Sequence, residues 1–236
     1  MLSAHGLSYI RREPERGNVD RPPALILLHG FASYENHLFE LARGFDPRLL
    51  IVSVRAPIRM GPGAYRWFHF DYYGTIAQRP SKGPTINLEE QAKSLATLTA
   101  FIEGFKAERK PDRLYLLGHS QGATMAFSVA MKRPSLISGL AEVNGRILPS
   151  ATANIAPARS FAGLPFFIGH GVDNPIVPIA LAQSIRQQLE GLQAKVCYRQ
   201  YPIGHEITAE VAADMSDWLS TKLDEPLDLH APLAAS

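Results

Sequence analysis

A serine with the surroundings of a nucleophile stands in the stretch Leu114 to Gly122, which reads Leu-Tyr-Leu-Leu-Gly-His-Ser-Gln-Gly. It contains Gly-x-Ser-x-Gly between an apolar run and a helix-like segment. Glycines two before and two after Ser120 allow a sharp strand-to-helix turn that exposes the hydroxyl. The first N–H groups of the following helix and its positive dipole end would face an oxyanion. The pattern predicts Ser120 as an acyl-transfer nucleophile and disfavours a purely structural turn.

A serine hydroxyl is a poor nucleophile unless a base takes its proton and a carboxylate holds that base. In hydrolases with this turn, acid and base follow the serine in that order. Three histidines follow Ser120, namely His170, His205 and His230. His205 falls on a short loop before the last predicted helix, whereas His230 lies near the C-terminus. The order therefore predicts His205 as the general base.

The acid that orients His205 should stand at the carboxyl end of a strand. Asp173 follows the apolar run Pro165 to Ile168, whereas Asp214 and Asp217 fall inside the final predicted helix. Asp173 is therefore the predicted orienting acid.

Two backbone N–H groups should hold the oxyanion. One belongs to Gln121, directly after the serine, and the other to Phe31, in the loop after the apolar run Ala24 to Leu28. His29 precedes the nucleophile, so we expect it to brace this loop. His119 is expected to point elsewhere on the turn and to pack.

Elements that could position these groups alternate along the chain. Unbroken apolar runs are typical of strands that are buried on both faces of a parallel sheet. The predicted strands are Ala24 to Leu28, Leu49 to Val54, Arg113 to Leu117, Ile137 to Val143, Pro165 to Ile168 and Lys195 to Tyr201. The predicted helices are Asn87 to Lys106, Gln121 to Met131, Val177 to Leu189 and Ile207 to Lys222. The alternation predicts an α/β fold with one doubly wound, mostly parallel sheet and helices on both faces.

Two stretches, 56–84 and 144–163, are rich in Gly, Pro or Ala and are predicted to be long loops. We expect a single domain over residues 1–223 and a flexible tail over 224–236.

Composition excludes several classes of function. The 236 residues are 46% hydrophobic and 19% charged, with a net charge of +2 and no dense basic block, so nothing predicts a nucleic-acid partner. The single cysteine, Cys197, cannot form an internal disulfide and is expected to be a buried structural thiol, and no metal site is predicted. No signal peptide or apolar span is visible, which predicts a cytoplasmic protein with no integral membrane segment.

Five blocks together resemble the phospholipase/carboxylesterase family of α/β-hydrolases, over nearly the whole chain from Leu25 to Leu219. The family includes small bacterial carboxylesterases and acyl-protein thioesterases. The blocks are Leu28-His29-Gly30, Arg55-Ala56-Pro57, the Gly63 to Asp71 stretch around Trp67-Phe68, Gly118 to Gly122, and His170-Gly171-x-Asp173-x-x-Ile176-Val177-Pro178 with Gly204-His205.

The resemblance implies the α/β-hydrolase fold and hydrolysis of carboxylic esters or thioesters without a cofactor. The expected partner is a small-molecule ester of short or medium chain, with lysophospholipids as a further option. Oligomeric state is left open, a homodimer included. One departure is His119, since the family usually has Phe before the serine.

Aromatic residues are frequent in the Gly63 to Asp71 block and directly after it. Trp67, Phe68, Phe70, Tyr72 and Tyr73 either line an acyl pocket or cover one sheet edge. Trp67 and Phe68 are the predicted pocket residues.

Three rival functions are less well supported by the sequence. A peptidase or amidase could use the same triad, but no extra domain for gating peptides is visible. A non-catalytic ligand-binding member of the fold would normally lose a triad residue, and by the assignment above none is missing. A dienelactone-hydrolase-like enzyme would call for cysteine in place of Ser120.

Overall fold

A central eight-stranded sheet organises the described part of this computed structural model, which comprises residues 1–18, 20–71 and 85–226. Its strands are β1 (Leu2–Ala4), β2 (Leu7–Arg12), β3 (Ala24–Leu28), β4 (Leu50–Val54), β7 (Leu114–His119), β8 (Gly139–Val143), β9 (Pro165–Gly171) and β10 (Lys195–Tyr201). A separate hairpin consists of β5 (Ile58–Gly61) and β6 (Ala64–Arg66). The order in the sheet is β1-β2-β4-β3-β7-β8-β9-β10.

The six predicted strands form the parallel part of the sheet. Strand β3 pairs with β4 on one side and β7 on the other, and the parallel pairing continues through β8 and β9 to β10. The residues of β3 and β4 are all buried, as expected for strands covered on both faces. The predicted doubly wound, mostly parallel sheet is confirmed.

Helices cover both faces of the sheet. They are α1 (Glu35–Leu41), α2 (Leu88–Arg109), α3 (Gln121–Lys132), the short α4 (Pro149–Thr152), α5 (Ile179–Gly191) and α6 (Ala209–Asp224). Side chains of α2, α3 and α5 pack with one set of strand residues, whereas those of α1 and α6 pack with the alternate set. Neighbouring residues Ile26 and Leu27 of β3 therefore belong to different halves of the core.

Helix α2 begins where the sequence predicted. The Asn87 side chain accepts a hydrogen bond of 3.0 Å from the Glu90 N–H, and Glu89 and Glu90 place negative charge in the first turn. None of the helices in the described ranges combines the length and apolarity needed to cross a bilayer.

Several elements were missed by the sequence pattern. Strands β1 and β2 form an antiparallel extension, in which β2 pairs with β4. The 56–84 stretch contains the β5–β6 hairpin, and the 144–163 stretch contains α4. These two stretches are therefore more ordered than the predicted loops, although 72–84 lies outside the described residues. So does most of the predicted tail, from 227 onward.

The start of α3 lies directly against the end of β3. A methyl group added at Gly122 would penetrate well inside van der Waals contact with the Leu28 carbonyl oxygen, which is backbone and cannot rotate away. Gly118 is similarly close to the backbone of Ala123. The two glycines of the motif thus permit the close packing of β3, β7 and α3 that fixes the position of Ser120.

Gly122→Ala is expected to lower the free energy of unfolding by about 3 kcal/mol or to prevent folding, because the backbone of β3 or α3 must move. Urea unfolding measures the effect. Gly44→Ala is the matched control, since nothing lies within 4 Å of its added methyl group, and we expect a change within about 0.5 kcal/mol. Equal stability of the two variants would contradict the close contact.

Candidate active site

Ser120 occupies a strained backbone position between β7 and α3. Its φ of 54° and ψ of −115° are unfavourable for a residue with a side chain. The position is held by the Ser120 N–H, which donates to the Val143 carbonyl at 2.9 Å, and by the contact at Gly122. Strain of this kind persists only where the surroundings enforce it, and it concentrates at functional sites.

His205 meets Ser120 across the carboxyl edge of the sheet. The distance between His205 Nε2 and Ser120 Oγ is 2.8 Å, which is hydrogen-bond length. The histidine lies on the loop between β10 and α6, and a methyl group at Gly171 would collide with the backbone of Gly204 in that loop. The structure therefore brings together the predicted nucleophile and the predicted base.

Asp173 does not reach the base, which corrects the predicted triad. Its side chain is exposed, and the Asp173 N–H donates to the Ile203 carbonyl at 3.1 Å. Its carboxylate has no hydrogen bond or ion pair with any residue that the structure describes. Instead, Asn174 meets His205: its Oδ1 is 3.1 Å and its Nδ2 is 3.0 Å from the ring Nδ1.

The physical reason lies in the length of β9. This strand continues to Gly171, three residues beyond the predicted end at Ile168, so the turn begins later than expected. Asn174 is only 4% exposed, and its Oδ1 accepts the N–H groups of Ile176 and Val177, each at 2.9 Å. An Asn followed by Pro signals such a turn, and this signal could have directed attention to Asn174.

The two predicted oxyanion donors belong to segments on either side of Ser120. Gln121 is the first residue of α3, so its N–H has no acceptor within the helix. Phe31 follows Gly30, where an added methyl group would lie 3.3 Å from Ser120 Cβ. Both segments adjoin Ser120, which is compatible with the predicted oxyanion hole.

His29 braces the loop that carries Phe31, as predicted. Its Nδ1 donates to the Gly30 carbonyl at 2.8 Å, and its Nε2 accepts the Ala56 N–H at 3.0 Å. Burial lowers the pKa of His29 to about 4, so the ring is neutral at pH 7. The bond to Ala56 joins the ends of β3 and β4.

His119 has a larger part in the site than predicted. Its Nε2 is 2.9 Å from the His205 carbonyl oxygen and must donate to it, so Nδ1 is unprotonated in the neutral ring. Burial lowers the pKa of His119 to about 4, which keeps the ring neutral. The side chain therefore ties the loop that carries His205 to the strand that ends before Ser120. Sequence spacing gave no signal for this contact.

The side chain of Gln121 ties a third segment to the site. Its Oε1 accepts the Trp67 N–H at 2.8 Å, and its Nε2 donates to the Phe68 carbonyl at 2.7 Å. The indole N–H of Trp67 donates to the His29 carbonyl at 3.0 Å. The segment after β6 is thus held against both predicted oxyanion segments.

A cleft opens beside Ser120. Its walls combine apolar and polar side chains. The lining residues are Phe68, Phe70, Ile86, Ser120, Gln121, Thr124, Asn144, Arg146, Ile176 and Val177. Phe68 thus lines the cleft as predicted, but Trp67 does not, because it is fully buried in the core. Tyr72 and Tyr73 lie outside the described residues.

Fold and site together define the class. A mostly parallel sheet, a sharp turn with Ser120 after a central strand, and His205 on the loop before the last helix are the features of an α/β-hydrolase. The model of the phospholipase/carboxylesterase family matches residues 15–223. The chain belongs to this family, and the predicted resemblance is confirmed.

Individual relatives are distant. The protein MhqD of Bacillus subtilis (strain 168) is 25% identical over 210 residues, which are 86% of this chain and 94% of that protein. Acyl-protein thioesterase 1 of Gibberella zeae is 28% identical over 116 residues, 48% of this chain and 49% of that protein. The crystal structure of a Mesorhizobium loti carboxylesterase superposes with a TM-score of 0.76 at 23% identity, covering 93% of this chain and 97% of that one. Family and relatives support a hydrolase of the carboxylesterase/thioesterase type.

Replacing His119 should make folding less sensitive to acid. Because burial lowers the pKa of His119 to about 4 from 6.5, the unfolded chain binds more protons between these values, and stability falls as pH falls through this window. In His119→Phe that contribution is absent, whereas the contribution of His29 remains. Urea unfolding at pH 7 and pH 4.5 should show a smaller loss of stability in the variant than in the wild type.

The control is His69→Phe, which changes a half-exposed histidine. It should show the same loss of stability as the wild type. If His119→Phe also shows that loss in full, His119 is not held neutral by burial.

Proposed function

We propose that the chain is a serine hydrolase that cleaves short- and medium-chain carboxylic esters or thioesters through an acyl-enzyme on Ser120. One observation carries the proposal, namely the distance of 2.8 Å between Ser120 Oγ and His205 Nε2 at a strained strand-to-helix turn. A nucleophile with a base in hydrogen-bond reach is the essential arrangement for covalent acyl transfer.

In the first half of the reaction, Ser120 Oγ attacks the ester carbonyl carbon while His205 Nε2 takes the hydroxyl proton. The negative charge moves to the carbonyl oxygen, where the N–H groups of Phe31 and Gln121 can donate to it. The imidazolium then gives its proton to the leaving oxygen or sulfur as that bond breaks. The products of this half are an alcohol or thiol and the acyl-serine.

In the second half, a water molecule replaces the hydroxyl. His205 takes a proton from the water as it attacks the acyl carbon, the same N–H groups stabilise the oxyanion, and the proton then passes to Ser120 Oγ. The acid is released and the serine regenerated. Loss of a single oxyanion donor typically costs about 3 to 4 kcal/mol of transition-state stabilisation, which is the share expected of each N–H group.

The lining of the cleft is suited to bind an apolar acyl group of the substrate. Phe68, Phe70 and Ile86 offer apolar surface, and Ile176 and Val177 offer more next to the turn that holds Asn174. Thr124 and Arg146 add polar groups to the same cleft. Such a mixture is typical of small-molecule sites, where apolar walls bind the ligand and a few polar groups orient it.

A second candidate is a ligand-binding protein with little or no turnover. It is favoured by one observation: an amide, that of Asn174, stands where the orienting carboxylate was expected. Among the described residues, the carboxylate expected of an active member is thus replaced by an amide at this contact. Substrate turnover separates the two candidates.

The first test is hydrolysis of p-nitrophenyl esters from acetate to laurate by the wild type and by Ser120→Ala. We expect turnover of the short and medium esters, and a loss of about 10⁴-fold or more in the variant, since removal of the nucleophile disables the whole catalytic unit. A fluorophosphonate probe should label Ser120 in the wild type, as mass spectrometry of the modified peptide would show.

Ser160→Ala, which changes an exposed serine, is the control and should behave like the wild type. Equal rates for the wild type and Ser120→Ala would exclude the proposed nucleophile. Folded but inactive wild type that binds the esters without labelling would support the ligand-binding candidate.

A further inference from the structure

The base of this site is held by a neutral side chain. Serine hydrolases of this architecture orient the histidine with Asp or Glu, whereas here Asn174 contacts Nδ1 of His205. We infer that Asn174 is the positioning residue of His205 and that, within the part of the chain that the structure describes, an amide takes the place of the carboxylate at Nδ1. The inference rests on the proposed function, because an orienting group matters only if His205 is the general base.

The orientation of the Asn174 amide is fixed by its surroundings. Two backbone N–H groups, of Ile176 and Val177, each lie 2.9 Å from one atom of the amide. Both are donors, so this atom must be the oxygen, Oδ1, and the flipped amide would place NH₂ against two donors. Nδ2 is therefore on the other side, 3.0 Å from His205 Nδ1.

Two alternative hydrogen bonds between the Asn174 amide and the His205 ring are compatible with these distances. In one, His205 Nδ1–H donates to Oδ1, and the bare Nε2 can accept the proton of Ser120. In the other, Nδ2–H of Asn174 donates to a bare Nδ1, and the proton of the ring lies on Nε2, where it blocks that transfer. A carboxylate has no N–H and permits only the first. Asn174 thus fixes the ring without selecting one tautomer.

The charge of the orienting group affects the reaction as well. When His205 takes the serine proton, an adjacent carboxylate would stabilise the imidazolium, whereas an amide offers only its dipole. The same carboxylate would also keep the histidine of the free enzyme protonated up to a higher pH, because an opposite charge within about 4 to 6 Å favours the charged form. An amide therefore gives a slower site that keeps its base unprotonated at lower pH.

Other titratable or charged groups lie near His205 in the part of the chain that the structure describes. They are His119 from β7, His37 from α1 behind it, Asp173 from the loop after β9, Glu206 next in the chain, and Arg146 from the wall of the cleft. Burial keeps the pKa of His119 at about 4, so this ring adds no charge near pH 7. The exposed Asp173 is screened by solvent and has no hydrogen bond to the ring among the described residues.

Asn174→Asp is the decisive variant. Aspartate can accept the same two backbone N–H groups, so the fold of the turn should be kept. We expect kcat on a p-nitrophenyl ester at pH 8 to rise by about tenfold or more with little change in KM, since in a well-studied protease the reverse exchange costs about 10⁴-fold. The acid limb of the pH profile of kcat/KM should move up by about one pH unit.

Asp173→Asn is the matched control, because it makes the opposite exchange one residue earlier on the exposed side of the turn. It should leave kcat and the pH profile as in the wild type. A merely structural Asn174 would change stability in urea but would not shift the pH profile.

Labelling by the fluorophosphonate probe distinguishes failure of the inference about Asn174 from failure of the proposed function. If the fluorophosphonate probe modifies Ser120 while Asn174→Asp leaves the pH profile unchanged or Asp173→Asn abolishes turnover, the inference is wrong and the proposed function stands. If the wild type hydrolyses the ester and Asn174→Asp raises its kcat and shifts its pH profile, the inference holds. An inactive wild type beside an active Asn174→Asp would contradict a site that operates without a carboxylate. If neither protein is labelled or hydrolyses an ester, the proposed function fails, and the inference fails with it.

Discussion

The close contact between Gly122 and the Leu28 carbonyl is the constraint on which the rest of the site depends. Because no side chain separates α3 from β3, the helix begins immediately after Ser120 and holds that residue at a φ of 54°. The N–H of Gln121 and the loop that carries Phe31 consequently lie on either side of the hydroxyl. One steric requirement of the sheet packing thus fixes the geometry of the proposed nucleophile and the position of both predicted oxyanion segments.

Much of this could be predicted from sequence, since the features are local. Apolar runs mark the buried strands, and Gly-x-Ser-x-Gly marks the turn because steric limits act on adjacent residues. His205 was found because it follows the last strand. The antiparallel strands β1 and β2 were missed because half-buried strands such as Leu7–Arg12 lack an unbroken apolar run. Their pairing depends on β4, which is distant in the chain.

The orienting residue was mispredicted for a different reason. The assignment of Asp173 depended on the exact end of β9. The apolar run ends at Ile168, whereas the pairing of β9 with β10 continues to Gly171. A shift of one residue decides whether a side chain faces solvent or the base. The contact from His119 to the His205 carbonyl was invisible for a similar reason, since it joins residues 86 positions apart.

The side chain of Gln121 gives the site a further property. Its amide holds the backbone of Trp67 and Phe68, while its own N–H belongs to the predicted oxyanion hole. The wall of the cleft and a stabilising dipole therefore share one residue, so that displacement of the wall by a bulkier acyl group would be transmitted to the reacting centre. Selectivity of the proposed hydrolase for acyl shape would then be expressed in turnover as well as in affinity.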